Sequence, residues 1–418
     1  MALAVEACFA RLAELFAEIA ACRAFEVLRG SKARVDYLLL KEARVIACTS
    51  THAAITRSRM IALGFHYDTL VMEEAAQVKE IETFIPLTCQ APHPLTRRSP
   101  LQRVLLIGDH NQLPPVIQNA TLARFCRLDQ SMFARLLRLG VPSITLDAQG
   151  RARPELAALY AWRYLPEAGG LRNLPHVRSS PAFAAANAGF VHTVQLVDVA
   201  EAEGAGGSSG GGGGSGGGGG ETCPAPHFYQ NASEAEYVCA VYQYMRLVGY
   251  APSDIAVLTP YNGQKALLRE SFRRLGSSWY GAPAAIETVD RFQGQQAKYV
   301  LLSLVRTRAV GHIRDVRRLV VALSRGRLGL LVFARVRLFQ SAPELAPALS
   351  QLAARGTALQ LLVGECHPSK RAVGQPVEAA LKEGGGLLTH VPVQGPQHMQ
   401  SIVATLERLV RGGAAGRG

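Results

Sequence analysis

Two adjacent carboxylates, Glu73 and Glu74, close an apolar run in VMEEAAQ (71–77). At the end of a buried strand such a pair can divide its work, one carboxylate holding a magnesium ion through water while the other orients an attacking water. A solvated pair capping the next helix is the plain alternative, since acidic side chains also favour a helix N-terminus. The pattern returns in LLIGDHNQLPPV (105–116), where Asp109 follows the run, Gln112 is placed to sense a terminal phosphate, and Pro114-Pro115 fix a rigid turn. A third unit, 290–327, sets Gly294 in a polar turn, then an uninterrupted apolar run at 299–305, then Arg314, Arg317, Arg318, Arg325 and Arg327. Glycine lets backbone approach a ligand closely, and arginine forks match phosphate oxygens, so the order suits a machine that handles phosphates and nucleic acid.

These residues need elements to hold them. Short apolar runs at 44–48, 67–72, 104–107 and 255–259 alternate with helical patterns, which predicts strands separated by helices and therefore parallel sheets. In open parallel sheets ligands sit at the carboxyl ends of the strands. Here each run is followed at once by small or polar residues: Thr49-Ser50-Thr51, Glu73-Glu74, Gly108-Asp109 and Pro260-Tyr261-Asn262-Gly263. The first 25 residues read as an amphipathic helix with Leu12, Leu15, Phe16 and Ile19 on one face, because Glu6, Arg11, Glu14 and Glu18 interrupt every apolar run. Residues 204–220 are almost pure glycine and serine, a composition that buries nothing, and read as a disordered insertion that lengthens a surface loop. Residues 341–418 mix helical stretches such as 399–410 with Pro and Gly and carry no motif.

Length and composition agree with a folded chain of about two or three domains. A formal charge of +13 and a pI near 9.6 favour a polyanionic partner over a merely basic surface, without separating RNA, DNA and acidic membranes. The 8 cysteines are scattered with no close pair, which argues against a zinc module or a disulfide scaffold, and no apolar segment is long enough to span a bilayer.

The first two motifs resemble motifs II and III of superfamily 1 helicases, and LDAQGRAR (146–153), TPYNGQ (259–264), TVDRFQGQQ (288–296) and VVALSRGR (320–327) resemble those of the second RecA-like lobe. More narrowly, EEAAQ, ETFIPL, GDHNQLPPVIQN, LDAQGRARPEL, YNGQK and LVRTRAVGHIRDVRRLVVALSR resemble the C-terminal helicase region of the Aquarius type, the intron-binding spliceosomal helicases, over about 35–340. The resemblance implies an α/β fold of two RecA-like parallel-sheet lobes: 1–141, N-terminally incomplete, then 142–340 carrying the insertion, then a mixed C-terminal tail at 341–418. It implies an ATP-dependent RNA helicase with Mg2+, acting in the nucleus on single-stranded intron RNA among spliceosomal proteins, with no membrane partner.

Roles follow for matching residues only. Glu73 (the metal site) and Glu74 would handle magnesium and water, Gln112 the terminal phosphate, and Arg151 and Arg325 would act as arginine fingers. Asp109, Gly294 and Gln296 would lie on the nucleotide. Thr49, Thr51, Tyr261, Thr288 and Gln293 would contact RNA, with Tyr261 either stacking on a base or packed in its turn. The chain departs from the pattern in four places. No GxxxxGK[ST] loop occurs, so tight ATP binding by this chain alone is not expected, and the sequence reads as the C-terminal portion of a longer protein or a truncated gene model. Glu73 stands in place of the usual Asp, Gly150 in place of a tyrosine that stacks on adenine, and Gln296 in place of an acid. An ATP-inert RNA-binding or scaffold module, and a DNA helicase with the same motifs, are the rival readings.

Overall fold

A computed structural model describes residues 2–28, 30–199, 220–275, 277–383 and 386–415. The insertion expected at 204–220 lies, apart from Gly220, outside the described residues. The chain divides into two compact units, Met1–His110 with Pro114–Ser143, and Asn111–Leu113 with Ile144–Gly418.

The first unit opens with the expected helix, Ala2–Val27, whose Phe9, Leu12, Phe16 and Ile19 are exposed. A second helix, Ser50–Ala62, starts where the Thr49 hydroxyl accepts the His52 N–H at 3.1 Å, an N-cap that satisfies one of the orphan donors of the first turn. Strands β1 (Thr69–Met72) and β2 (Arg103–Leu106) pair in parallel with Thr69 opposite Arg103, and the helix Glu80–Leu87 lies between them in sequence. The strand expected at 44–48 is not formed: the segment is irregular and exposed throughout. A strand persists only where a neighbour takes its N–H and C=O groups, and the parallel pair of β1 and β2 does not include this segment.

One glycine fixes the geometry at the ends of these strands. The Ala75 N–H donates to Ile107 O at 2.8 Å, drawing the turn after β1 against the turn after β2. A Cβ at Gly108 would stand 2.8 Å from the Ala76 nitrogen, so only glycine permits that approach.

In the second unit the chain forms two short parallel strands, β3 (Ala148–Gln149) and β4 (Arg172–Asn173). It then builds a five-stranded sheet from β5 (Val194–Asp198), β6 (Ile255–Thr259), β7 (Ala285–Thr288), β8 (Ala297–Ser303) and β9 (Gly326–Ala334), in the order β5-β9-β8-β6-β7. Every pairing in it is parallel. An antiparallel pair, β10 (Gln360–Val363) and β11 (Thr389–Pro392), follows.

Alternation along the strands explains why the central stretches 255–258, 299–302 and 330–333 carry no charged residue. Ala256, Leu258, Val300, Leu302, Leu330 and Val332 enter one core, with side chains from the helices Pro154–Ala161, Val316–Leu323 and Ala346–Ala353. Ile255, Val257, Tyr299, Leu301, Leu331 and Phe333 enter another, with side chains from the helices Ala232–Val248 and Pro396–Ala415. A sheet covered on both faces favours apolar residues at successive positions, the pattern of a buried parallel strand, and the buried Gln195 of β5 is accommodated by donating to Ala358 O at 2.6 Å. The fold is α/β with parallel sheets in both units, as expected of RecA-like lobes. Within 341–418, Leu361, Met399 and Val403 belong to the second core.

A buried acid shapes the loop beyond β8. Glu234, 1% exposed, accepts the Ser303 hydroxyl at 2.7 Å and the Val305 N–H at 2.9 Å, while the Asn231 amide donates to Val305 O at 3.2 Å. These bonds hold Val305 at φ 74°, a left-handed conformation that a β-branched residue rarely adopts. Burial outweighs the hydrogen bonds and pushes the Glu234 carboxyl up to about 7. Because the folded state then binds the proton more tightly than the unfolded chain, this acid favours folding most below pH 4.5, and the contribution is lost as pH rises to about 7. Urea unfolding across that window should show stability falling with pH in the wild type and a flatter profile in Glu234→Gln.

Candidate active site

In the first unit, Glu73 and Glu74 sit at the carboxyl end of β1, both exposed. Glu74 has φ 53° and ψ 32°, a left-handed conformation at the start of a 3-10 turn, and its carboxylate accepts the Gln77 side-chain amide. Strain of this kind in a non-glycine residue concentrates at functional turns. Asp109 follows Gly108 on the adjoining turn and is half-buried, so the backbone contact at Ile107 keeps the two acidic turns together. Among the described residues no group of three or more His, Cys, Asp or Glu is placed to hold a metal ion. A lone carboxylate suits magnesium, which keeps several waters and takes its remaining ligands from phosphates. Thr51 is exposed, and the Thr49 hydroxyl is committed to its helix cap.

In the second unit the predicted residues divide between the two ends of the sheet. At the amino ends of β8 and β9 lies Arg325, 1% exposed. Its Nε donates to Val321 O at 3.0 Å, Nη1 to Gln295 O at 3.3 Å, and Nη2 to the Ser324 hydroxyl at 2.8 Å and to Gln112 Oε1 at 3.4 Å. Gln112 belongs to this unit through the short segment Asn111–Leu113. The Tyr160 hydroxyl is pushed up to about 12 by burial, against the opposing positive charges of Arg151 and Arg325, which both act on this one buried group. Gln112, Arg151 and Arg325 are thus gathered around Tyr160.

The motif readings did not single out Gln149. Its Oε1 accepts the N–H groups of Arg151 at 2.9 Å and Ala152 at 2.8 Å, and its amide donates to Ala152 O at 2.8 Å, so one side chain clamps the turn that presents Arg151. The signal was available, since Gln149 stands inside LDAQGRAR. At Gly150 a Cβ would lie 2.7 Å from His176 Cε1, and the His176 ring meets Gly150 O at 2.8 Å. The imidazole therefore fills the space that a side chain at 150 would need. Gly294 has φ +76° with nothing within 4 Å of a built Cβ, Gln296 is exposed, and the half-buried Gln293 keeps its Nε2 without a partner.

The other end of the sheet carries Tyr261 and Thr288. Tyr261 is 3% exposed; its hydroxyl accepts the His312 N–H at 3.1 Å, and its ring meets Tyr229 edge-on at 5.3 Å. Arg306 lies 3.9 Å over Tyr229 and pairs with Glu221 at 2.9 Å, closing the cluster. This is the packed turn tyrosine, with no free face for a base. Thr288 is 7% exposed, and its hydroxyl accepts the Arg291 N–H at 3.4 Å. The arginine forks expected to meet phosphates also need correction: Arg314 pairs with Glu344 at 2.6 Å, Arg317 with Asp315 at 2.9 Å and Arg318 with Asp290 at 2.9 Å. Carboxylates close in sequence or space take the same bidentate geometry that phosphate would.

A family model described as an AAA domain matches residues 128–337, and a second AAA domain model matches residues 20–120. The chain belongs to the AAA domain family. Within that family it is 51% identical over 372 residues to the RNA helicase aquarius of Mus musculus, a match that covers 88% of this chain and 24% of that protein. Against the pre-mRNA-splicing factor cwf11 of Schizosaccharomyces pombe it is 26% identical over 380 residues, covering 88% of this chain and 27% of that protein. Against the NFX1-type zinc finger-containing protein 1 of Mus musculus it is 30% identical over 314 residues, covering 74% and 14%. The resemblance to superfamily 1 helicases, and within them to the Aquarius type, is borne out. The chain spans about a quarter of the length of the first two relatives. No helix among the described residues is long and apolar enough to cross a membrane.

The burial of Tyr261 has a measurable consequence. Tyr261→Phe, which keeps the ring and removes the acceptor for His312, should lower stability by about 0.5–1.5 kcal/mol in denaturant unfolding. In Tyr261→Leu, which removes the ring face a stacking role would need, RNA affinity by fluorescence anisotropy should stay within about twofold.

Proposed function

We propose that this chain is the helicase region of an ATP-dependent RNA helicase of the spliceosome, which acts in the nucleus on single-stranded intron RNA during pre-mRNA splicing. The observation that carries the reading is the gathering of Arg151, Arg325 and Gln112 around Tyr160 in the second unit. The buried Arg325 guanidinium, fixed by four hydrogen bonds, with the Arg151 charge acting on the same tyrosine, suits the charge that develops on a transferring phosphoryl group. The likeness to an RNA helicase and to a pre-mRNA-splicing factor supports the substrate and the setting.

The residues fit ATP with magnesium: exposed carboxylates for a hard, hydrated cation, and arginines for phosphate oxygens. Bound ATP supplies the phosphoanhydride bond to be hydrolysed. By the resemblance, Glu73 would hold magnesium and Glu74 would orient the attacking water and accept its proton. Gln112 would read the terminal phosphate, Asp109, Gly294 and Gln296 would border the nucleotide, and Arg151 and Arg325 would neutralise the transition-state charge. Thr51 and Gln293 supply hydroxyl and amide contacts to RNA backbone, Thr49 and Thr288, whose hydroxyls already accept backbone N–H groups, keep only a donor proton for a phosphate oxygen, and the basic balance of +13 adds phosphate attraction. A second reading, an ATP-inert RNA-binding or scaffold module, is favoured by the lack of a GxxxxGK[ST] loop in the sequence, and by itself this chain is expected to turn over little ATP.

Two variants in the full-length protein separate these readings. Arg325→Ala should lower RNA-stimulated ATP hydrolysis by about a thousandfold while RNA affinity stays within a few fold; unchanged hydrolysis would sink the motor. Glu74→Gln should block splicing in a depleted extract if the chain is a motor, and should support normal splicing if it is a scaffold. Stimulation by single-stranded DNA equal to that by RNA would move the substrate to DNA.

A further inference from the structure

Arg153 is a charged side chain in the core that the mechanism above does not use. It is 2% exposed, and its hydrogen bonds all go to neutral groups: Nη1 to Asn187 Oδ1 at 3.2 Å, Nη2 to Ala185 O at 2.7 Å and to Ala182 O at 3.3 Å. Its Nε is buried with no hydrogen-bond partner. A buried guanidinium without a carboxylate is costly, and leucine or methionine would fill the volume without that cost. The site where the cost is borne is therefore informative.

Arg153 lies two residues beyond Arg151, and its own N–H donates to Arg327 O at 2.9 Å, two residues beyond Arg325. That single backbone bond ties the two arginine-bearing segments in register. On the near side Gln149 clamps the turn; on the far side the Arg325 carbonyl accepts the Ala297 N–H at 3.1 Å at the foot of β8. The Arg153 guanidinium rivets this junction to the segment 182–187. That segment is itself held from beyond by Arg371, which donates to Asn187 O at 3.1 Å and pairs with Glu365 at 2.7 Å. Removing the rivet leaves the turn to Gln149 and to the His176 ring, which meets Gly150 O at 2.8 Å.

We propose that Arg153 is a positioning residue that fixes Arg151 and Arg325 relative to each other by anchoring the junction between 149–153 and 325–327. The inference rests on the functional reading given above. It predicts that loss of the rivet costs turnover more than binding, because misplacing catalytic groups by about an ångström can lower the rate by up to about a hundredfold while ground-state contacts persist.

The test compares Arg153→Ala with Met399→Ala in the full-length protein. Met399 is 0% exposed in the other core, so its truncation supplies a purely structural loss of stability. Arg153→Ala should lower kcat for RNA-stimulated hydrolysis at least about tenfold, with the KM for ATP and the Kd for a single-stranded oligoribonucleotide within about threefold. Arg153→Lys should recover little, since an ammonium cannot reach Asn187, Ala182 and Ala185 together. Met399→Ala should keep kcat within about twofold at a comparable loss of Tm. Hydrogen exchange is read in parallel: amides at 149–157 and 325–329 should lose protection in Arg153→Ala and keep it in Met399→Ala. A normal kcat in Arg153→Ala, or an equal fall in Met399→Ala, overturns the proposal. A wild type without RNA-stimulated hydrolysis defeats the functional reading instead, and the exchange pattern then decides the positioning role by itself.

Discussion

The second unit depends on apolar cover over both faces of its parallel sheet. Every residue of β6 is buried, and successive residues feed opposite cores. With both faces closed, polar groups can collect only at the strand ends, and the sheet offers two such ends. One receives the arginine junction, the other the cluster of Tyr229, Tyr261, Arg306 and Glu221. Arg325 and Gln112 therefore lie at one end and Tyr261 and Thr288 at the other, while Gln293, predicted to meet RNA, shares the turn of Gly294. This division also corrects the simple expectation that ligand residues gather at carboxyl ends alone, which holds here for Glu73, Glu74, Asp109, Tyr261 and Thr288 but not for Arg325.

Legibility from sequence followed the physics of each element. The run 255–259 became β6 without a shift in boundaries, because a strand buried on both faces writes itself as an uninterrupted apolar string. The run 44–48 has a similar composition and forms no strand, since strand formation is a property of a pair and the partner is not encoded in the segment itself. For the site, the motif spacing singled out Arg151, Arg325 and Gln112, of which Arg325 meets Gln112 at 3.4 Å. What the spacing did not reveal was commitment: Arg314, Arg317 and Arg318 are paired to carboxylates, and Tyr261 is enclosed by neighbours distant in sequence. Partner choice by a charged or aromatic side chain is settled by tertiary proximity, which a one-dimensional pattern does not carry.

The departures from the helicase pattern gain local explanations. Gly150 is not an empty position, because the His176 ring rests where a larger residue would project, and the backbone carbonyl at 150 accepts or supports that ring. Gly108, by contrast, is required by the backbone itself, since the adjoining turn passes within contact distance. Two glycines in neighbouring motifs thus answer to different constraints, one to a side chain that can adapt and one to a peptide unit that cannot.

Strand β8 runs for 7 residues, about 23 Å at the usual rise per residue, from the peptide unit bonded to Arg325 to the loop where Val305 is held left-handed. Flanked on both sides by hydrogen-bonded strands and sealed above and below, it has no freedom to buckle. It acts as a strut. Its two ends therefore keep a fixed separation, so the loop whose conformation is already costly stands at a constant distance from the Arg325 junction.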